Sequence, residues 1–140
     1  MGEGPATAEE TFQIGEVAER VGLSLRTIRH YDEVALVEPS ARSAGGFRLY
    51  TGRDIDRLAF VKQLKPLDFR IEEMRDLLGT LDQLASTDDP ELISSLGDHL
   101  EGFVLLAQQR CEALQDQLTI AERVAAALRA ELRRARTAST

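Results

Sequence analysis

The 140-residue sequence predicts a mainly α-helical chain: a small head of short helices with a two-stranded wing, then one long helix that pairs as a coiled coil. Three observations carry this expectation. Two short helical patterns flank a glycine in the first third, and a Gly-Gly turn with a short alternating segment follows them. Apolar residues then recur in alternating steps of four and three from Leu100 to Leu132. Aromatic residues make up only 5%, and the apolar residues are largely Leu, Val, Ile and Ala, a mix that favours helix packing over a β-sandwich.

Residues 1–10 carry no periodic apolar pattern and read as a flexible tail. Thr11-Phe12-Gln13-Ile14 alternates, either as a short strand or as the start of a helix. From Gly15 to Val21 the apolar residues Val17, Ala18 and Val21 fall at helical spacing, and Gly22 is a fitting stop. Ser24 is a natural N-cap for a second helix carrying Leu25, Ile28 and then Tyr31 or Asp32. Two short helices across a tight glycine turn are the helix-turn-helix pattern. Glu38-Pro39-Ser40 breaks the helix, Ser43-Ala44-Gly45-Gly46 is a turn, and Phe47-Arg48-Leu49-Tyr50 is a short strand, together a two-stranded wing. Alternation sets Phe47 and Leu49 on the head and Arg48 on the opposite face.

Thr51 and Asp54 are spaced as a capping box for a third helix holding Ile55, Leu58, Ala59, Val61 and Leu64. Pro66 ends it near residues 63–65. A fourth helix, about Ile71 to Leu84, buries Met74, Leu77, Leu78 and Leu81. Ser86-Thr87-Asp88-Asp89-Pro90 marks a boundary, with Asp88 or Asp89 as cap and Pro90 in the first turn. Beyond it Leu100, Val104, Ala107, Cys111, Leu114, Leu118, Ala121, Ala125, Leu128 and Leu132 form an unbroken heptad seam, the expected dimerisation surface. A helix of about 45 residues is nearly 70 Å long, too long to hide its whole stripe on so small a head.

Composition narrows the function. No run approaches the roughly 18 apolar residues of a membrane span. The polar, acidic start does not read as a signal peptide. A single cysteine builds neither a disulfide framework nor a Cys-rich metal site within one chain, so a cytoplasmic protein without a metal or cofactor is expected. No nucleophile–base pair is evident: His99 and Cys111 stand about 18 Å apart along one helix, and an enzyme is not expected. The net charge of -7 opposes nucleic-acid binding, yet from Arg20 to Lys65 nine basic residues face five acids, a local excess of +4.

The ordered strings FQIGEVAERVGLSLRTIRHYDEVALV, ARSAGGFRLYT, RDIDRLAFVKQL and FRIEEMRDLL resemble the MerR family of bacterial transcription regulators, over Phe12 to about Leu81. The resemblance divides the chain into a tail over 1–10, a winged helix-turn-helix DNA-binding domain over 11–85, a coiled-coil dimerisation helix over 90–135 and a tail over 136–140. It implies a homodimer with antiparallel pairing helices, bound to a pseudo-palindromic promoter and distorting it, with RNA polymerase as a further partner. The cytoplasm, at the bacterial nucleoid, is the implied location.

Ser24, Arg26, Thr27 and Arg29 sit where a recognition helix meets base edges. By resemblance His30 and Tyr31 lie close to the DNA backbone; Tyr31 is equally placed for core packing. The wing offers Arg42, Arg48 and Tyr50, its arginines either contacting phosphate or solvated. Arg53 and Arg57 stand near the third helix's N-terminus as further phosphate contacts. Two positions depart from the family: Ala35 replaces a usual glycine, and Lys65-Pro66-Leu67-Asp68-Phe69 lacks another, with Asp68 a workable substitute in a left-handed turn. An adaptor coiled coil and an excisionase-like architectural binder are the rival readings. Cys111, near the helix midpoint, is either a small buried hydrophobe or a thiol meeting its copy across the dyad. Effector identity, and activation against repression, stay open.

Overall fold

The computed structural model describes residues 10–139. The tail expected over residues 1–10 therefore lies outside the described residues except for Glu10, as does Thr140. β1 (Thr11–Gln13) runs straight into α1 (Ile14–Val21), so the alternating segment is strand up to Gln13 and helix from Ile14. Gly22 ends α1 at φ 77°, a left-handed conformation that glycine adopts without a Cβ penalty. Lys62 Nζ donates to the Val21 carbonyl at 2.9 Å and covers the helix end. A Cβ at Gly22 would lie 2.7 Å from that nitrogen, so a side chain there would both strain the backbone and displace the lysine.

α2 (Leu25–Glu33) starts at Ser24, whose Oγ accepts the Thr27 N–H at 3.0 Å. Ile28 and Tyr31 turn into the head, and Leu36 and Val37 follow them into the core. The wing strands are β2 (Ala41–Arg42) and β3 (Arg48–Thr51). The sheet has three strands rather than the two expected, because β1 also pairs with β3 in antiparallel register, Thr11↔Thr51 to Gln13↔Leu49. The wing is thereby anchored to the start of the head through its inner strand.

Thr51 and Asp54 close a capping box in which each side chain accepts the other's backbone N–H, and α3 (Gly52–Leu64) begins there. Asp54 is buried, and its Oδ2 also accepts from Ser40 N at 3.0 Å and Ser40 Oγ at 2.6 Å. One carboxylate thus satisfies a helix start and pins the loop that leads into the wing. A 3₁₀ turn over Lys65–Leu67 contains Pro66, and Asp68 takes the left-handed conformation at φ 60°. α4 (Ile71–Ser86) buries Met74, Leu77 and Leu78, whereas Leu81, expected in the core, is only partly covered.

α5 (Pro90–Ala138) is a single helix of 49 residues, with Asp89 Oδ1 accepting the Glu91 N–H at its start. It continues through residues 136–138, where a flexible tail was expected: Arg136, Thr137 and Ala138 hold no helix breaker, and Thr137 Oγ1 donates back to the Arg133 carbonyl at 2.9 Å.

The described residues divide into two units, one up to Leu100 and one from Glu101. The first has its own core, in which Val17, Ile28, Val37, Tyr50, Leu58 and Val61 are fully buried. Leu96, from the opening turns of α5, is buried as well. Each such apolar side chain stabilises the fold by about 1.5–3 kcal/mol relative to exposure. The second unit is helical to Ala138, and none of its described residues is buried.

Candidate nucleic-acid interface

Burial of Ile28 and Tyr31 fixes which side of α2 faces outward. Arg26, Arg29 and His30 lie exposed on that side and, with Glu33, line an open concavity. The His30 and Tyr31 rings are 6.2 Å apart and tilted by 43°, so His30 leans on the head while its ring stays accessible. Ser24 and Thr27 are committed locally: besides the cap, Ser24 Oγ donates to Thr27 Oγ1 at 2.9 Å. Arg26, Arg29 and His30 are presented outward from the helix itself, while Ser24 is exposed at its N-cap and Thr27 is half-buried.

Tyr31 and Tyr50 are placed differently. They are 3% and 0% exposed, and neither buried hydroxyl has a hydrogen-bond partner. Burial pushes both phenols above their usual pKa. Tyr31 therefore takes the core alternative, and Tyr50, expected at the wing surface, is core as well. It sits on the central strand of the sheet, in register with Phe12, and its side chain is fully buried. Phe47 corrects the reading in the other direction, being 67% exposed instead of packed on the head. It lies beyond the last ladder pair, Arg42↔Arg48, in the projecting turn.

The wing arginines do not stand free. Arg48 Nε donates to Asp32 Oδ2 at 2.7 Å, and Arg42 Nη2 reaches the same oxygen at 3.3 Å. Arg42 Nη1 also donates to the Gly46 carbonyl at 3.3 Å. The hydrogen bond that Arg48 donates to Asp32 raises the Arg48 pKa above its usual value. Arg53 and Arg57, expected as phosphate contacts, both bind Asp82 of α4, at 3.0 and 2.7 Å. They serve the α3–α4 packing in this structure.

Two acids and one arginine that organise the site went unassigned from sequence. Asp32 was visible only as an alternative to Tyr31 on the apolar repeat, although an acid four residues after Ile28 must sit at the edge of the buried face. Asp82 and Arg75 carry no local signature, since their partners are distant in sequence. Arg75 of α4 donates to the carbonyls of Val34 and Ala35, and Ala35 stands at φ 59°.

The seam on α5 is open. Val104, Leu114, Leu118, Leu128 and Leu132 are between 42% and 64% exposed, and Cys111 and Ala121 are exposed too. Leu100, Ala107 and Ala125 are half-buried. Among the described residues no helix is long and apolar enough to cross a membrane.

A capped second helix with an exposed cationic side, following a tight glycine turn and flanked by an arginine-bearing hairpin, defines a winged helix-turn-helix unit. The chain belongs to the MerR family: the model described as "MerR HTH family regulatory protein" matches residues 12–81, half of the sequence. It is 38% identical over 72 residues to the mercuric resistance operon regulatory protein of Bacillus cereus, covering 51% of this chain and 54% of that one. The chain thus matches about half the length of that relative. Its fold is similar to that of a MerR family transcriptional regulator from Listeria monocytogenes, with a TM-score of 0.63 at 22% identity over 79% of this chain and 80% of that one. It is similar also to HiNmlR, a MerR family regulator lacking the sensor domain, with a TM-score of 0.56 at 21% identity over 77% and 78% of the two chains. The relatives are named as regulators and not as enzymes.

Proposed function

We propose that this chain is a homodimeric, sequence-specific DNA-binding transcription regulator that binds a pseudo-palindromic promoter and distorts it to control transcription. The observation that carries the reading is the combination of an exposed Arg26–Arg29–His30 surface on α2 with an unbroken, exposed apolar seam on α5. The seam favours a second copy, because each Leu- or Val-sized side chain taken out of water contributes about 1.5–3 kcal/mol, and the family resemblance implies that the two helices run antiparallel. Two copies bring two heads, and two heads read an inverted repeat, one half-site each.

Within each head α2 enters the major groove. Arg26 makes a forked contact to guanine or clamps a phosphate, and Arg29 and His30 hold the backbone beside it. The wing lies along the phosphates, where Arg48 and Arg42 add sequence-independent affinity. Distortion follows if the dimer fixes the distance between heads at a value that relaxed DNA does not match, so that bending energy is exchanged for contacts. RNA polymerase at the bound promoter is the partner that reads the altered shape, and the bacterial cytoplasm is the place of action. The similar fold of HiNmlR, described as bound to promoter DNA, supports the assignment of DNA as ligand.

Sedimentation of the full chain, combined with duplex-binding isotherms over a salt series, tests this. The expected result is a dimer whose log affinity falls linearly with log salt. A monomer with no affinity for duplex DNA at low salt would refute it.

A further inference from the structure

Asp32 occupies an unusual place for an acid in a surface that attracts phosphate. It lies on α2, the reading helix, yet its carboxylate points to the wing and holds both wing arginines through one oxygen. Its side chain is only 11% exposed, and that of Arg48 is 25% exposed. The bond uses the Nε edge of Arg48. A guanidinium has five donors in a rigid fork, so its two Nη groups remain to meet a phosphate while Nε keeps hold of Asp32.

We propose that Asp32 is a specificity-determining positioning residue: it locks the wing arginines to the reading helix, so that phosphate capture by the wing occurs only in the register set by base contacts of α2. This rests on the DNA-binding reading above and concerns discrimination rather than affinity. A free arginine on a hairpin tip is a mobile cation that finds a phosphate on any duplex, which raises non-specific binding. An arginine oriented by a carboxylate on α2 can satisfy a phosphate only where that phosphate sits correctly relative to α2, and the same carboxylate weakens its field at a distance. Asp32 thus suppresses binding to the wrong sequence and spares binding to the right one.

The test uses the full chain and two duplexes of equal length: one selected by the wild type from a randomised pool, and a shuffled version of it. Affinities are measured over a salt series for wild type, Asp32→Asn, Arg48→Lys and a control, Glu38→Gln, which removes the same negative charge from an exposed position outside the clamp. For Asp32→Asn the shuffled duplex should bind more tightly, with a salt slope steeper by roughly one to two as the two cations are released. The ratio of selected to shuffled affinity should fall by roughly three- to tenfold, while Glu38→Gln changes it less than about twofold. Arg48→Lys keeps the charge but cannot hold Asp32 and fork to a phosphate at once, so it should lower the ratio too; it decides the matter if Asp32→Asn fails to fold. Ratios for Asp32→Asn and Arg48→Lys equal to that of Glu38→Gln, in a wild type that does discriminate, would overturn the role of Asp32 alone. A wild type that binds no duplex would overturn the DNA reading and this inference with it.

Discussion

Ala35 stands at φ 59°, where an L-residue with a Cβ is strained by roughly 1–2 kcal/mol. The strain persists because the turn is held on both sides. Leu36 and Val37 are buried, and the Arg75 guanidinium donates to the two carbonyls at the turn. Ala35→Gly should therefore raise unfolding stability by about 0.5–1 kcal/mol, after the larger unfolded-state entropy of glycine is subtracted. Denaturant melts check this; an unchanged or lower midpoint would mean the strain is not there. Tyr31 and Tyr50 give a second expectation. Burial without a partner holds both phenols protonated, so their folded pKa values lie above the usual value near 10. Their contribution to stability is fully present below about pH 10 and is lost as pH rises through the folded values. Stability measured from pH 8 to 11 should fall at the alkaline end, and the fall should shrink in Tyr31→Phe/Tyr50→Phe. Replacing these orphan hydroxyls should itself be neutral or mildly stabilising at pH 8.

Among the elements, helices were the most legible from sequence because their signals are local. Ser24, the Thr51–Asp54 box, Gly22 and Pro90 each mark a boundary by chemistry within a few residues, and each does so in the structure. The sheet was less legible. β1 is three residues long, and what makes it a strand is its pairing with Tyr50 across almost 40 residues of chain, which no local pattern encodes. The site failed for the same reason wherever a charge has a distant partner. Alternation set Arg48 on the face away from the head, whereas it shares its strand face with the buried Tyr50 and turns inward to Asp32, a partner no local pattern reveals; Arg53 and Arg57 read as free cations because Asp82 lies a helix away. Tyr50 and Phe47 exchanged expected environments, since residue type alone does not say where the head ends and the hairpin projects. The α5 seam yields the sharpest test at this level. Leu118 is 50% exposed in the single chain and lies mid-seam. Leu118→Glu should give monomers and abolish binding to an inverted repeat, because a carboxylate buried in an apolar interface costs several kcal/mol. A folded, dimeric Leu118→Glu protein, identified by sedimentation and circular dichroism, would show that the interface is elsewhere.

The whole molecule joins two surfaces that are weak alone. The net charge of -7 opposes DNA, so a single head presenting Arg26, Arg29 and His30 on α2 has little affinity to spare. Coupling two heads makes the second contact intramolecular, and avidity of this kind multiplies affinity without new contacts. In the proposed dimer, pairing and DNA recognition are one property, not two. Selection of bound sequences from a randomised duplex pool, using the full chain, tests that claim most directly. The account predicts a two-fold symmetric motif whose half-sites are both required, with Arg26→Ala lowering affinity by roughly 1–3 kcal/mol and relaxing one position in each half. Enrichment of a single unpaired half-site, or of no sequence at all, would contradict it.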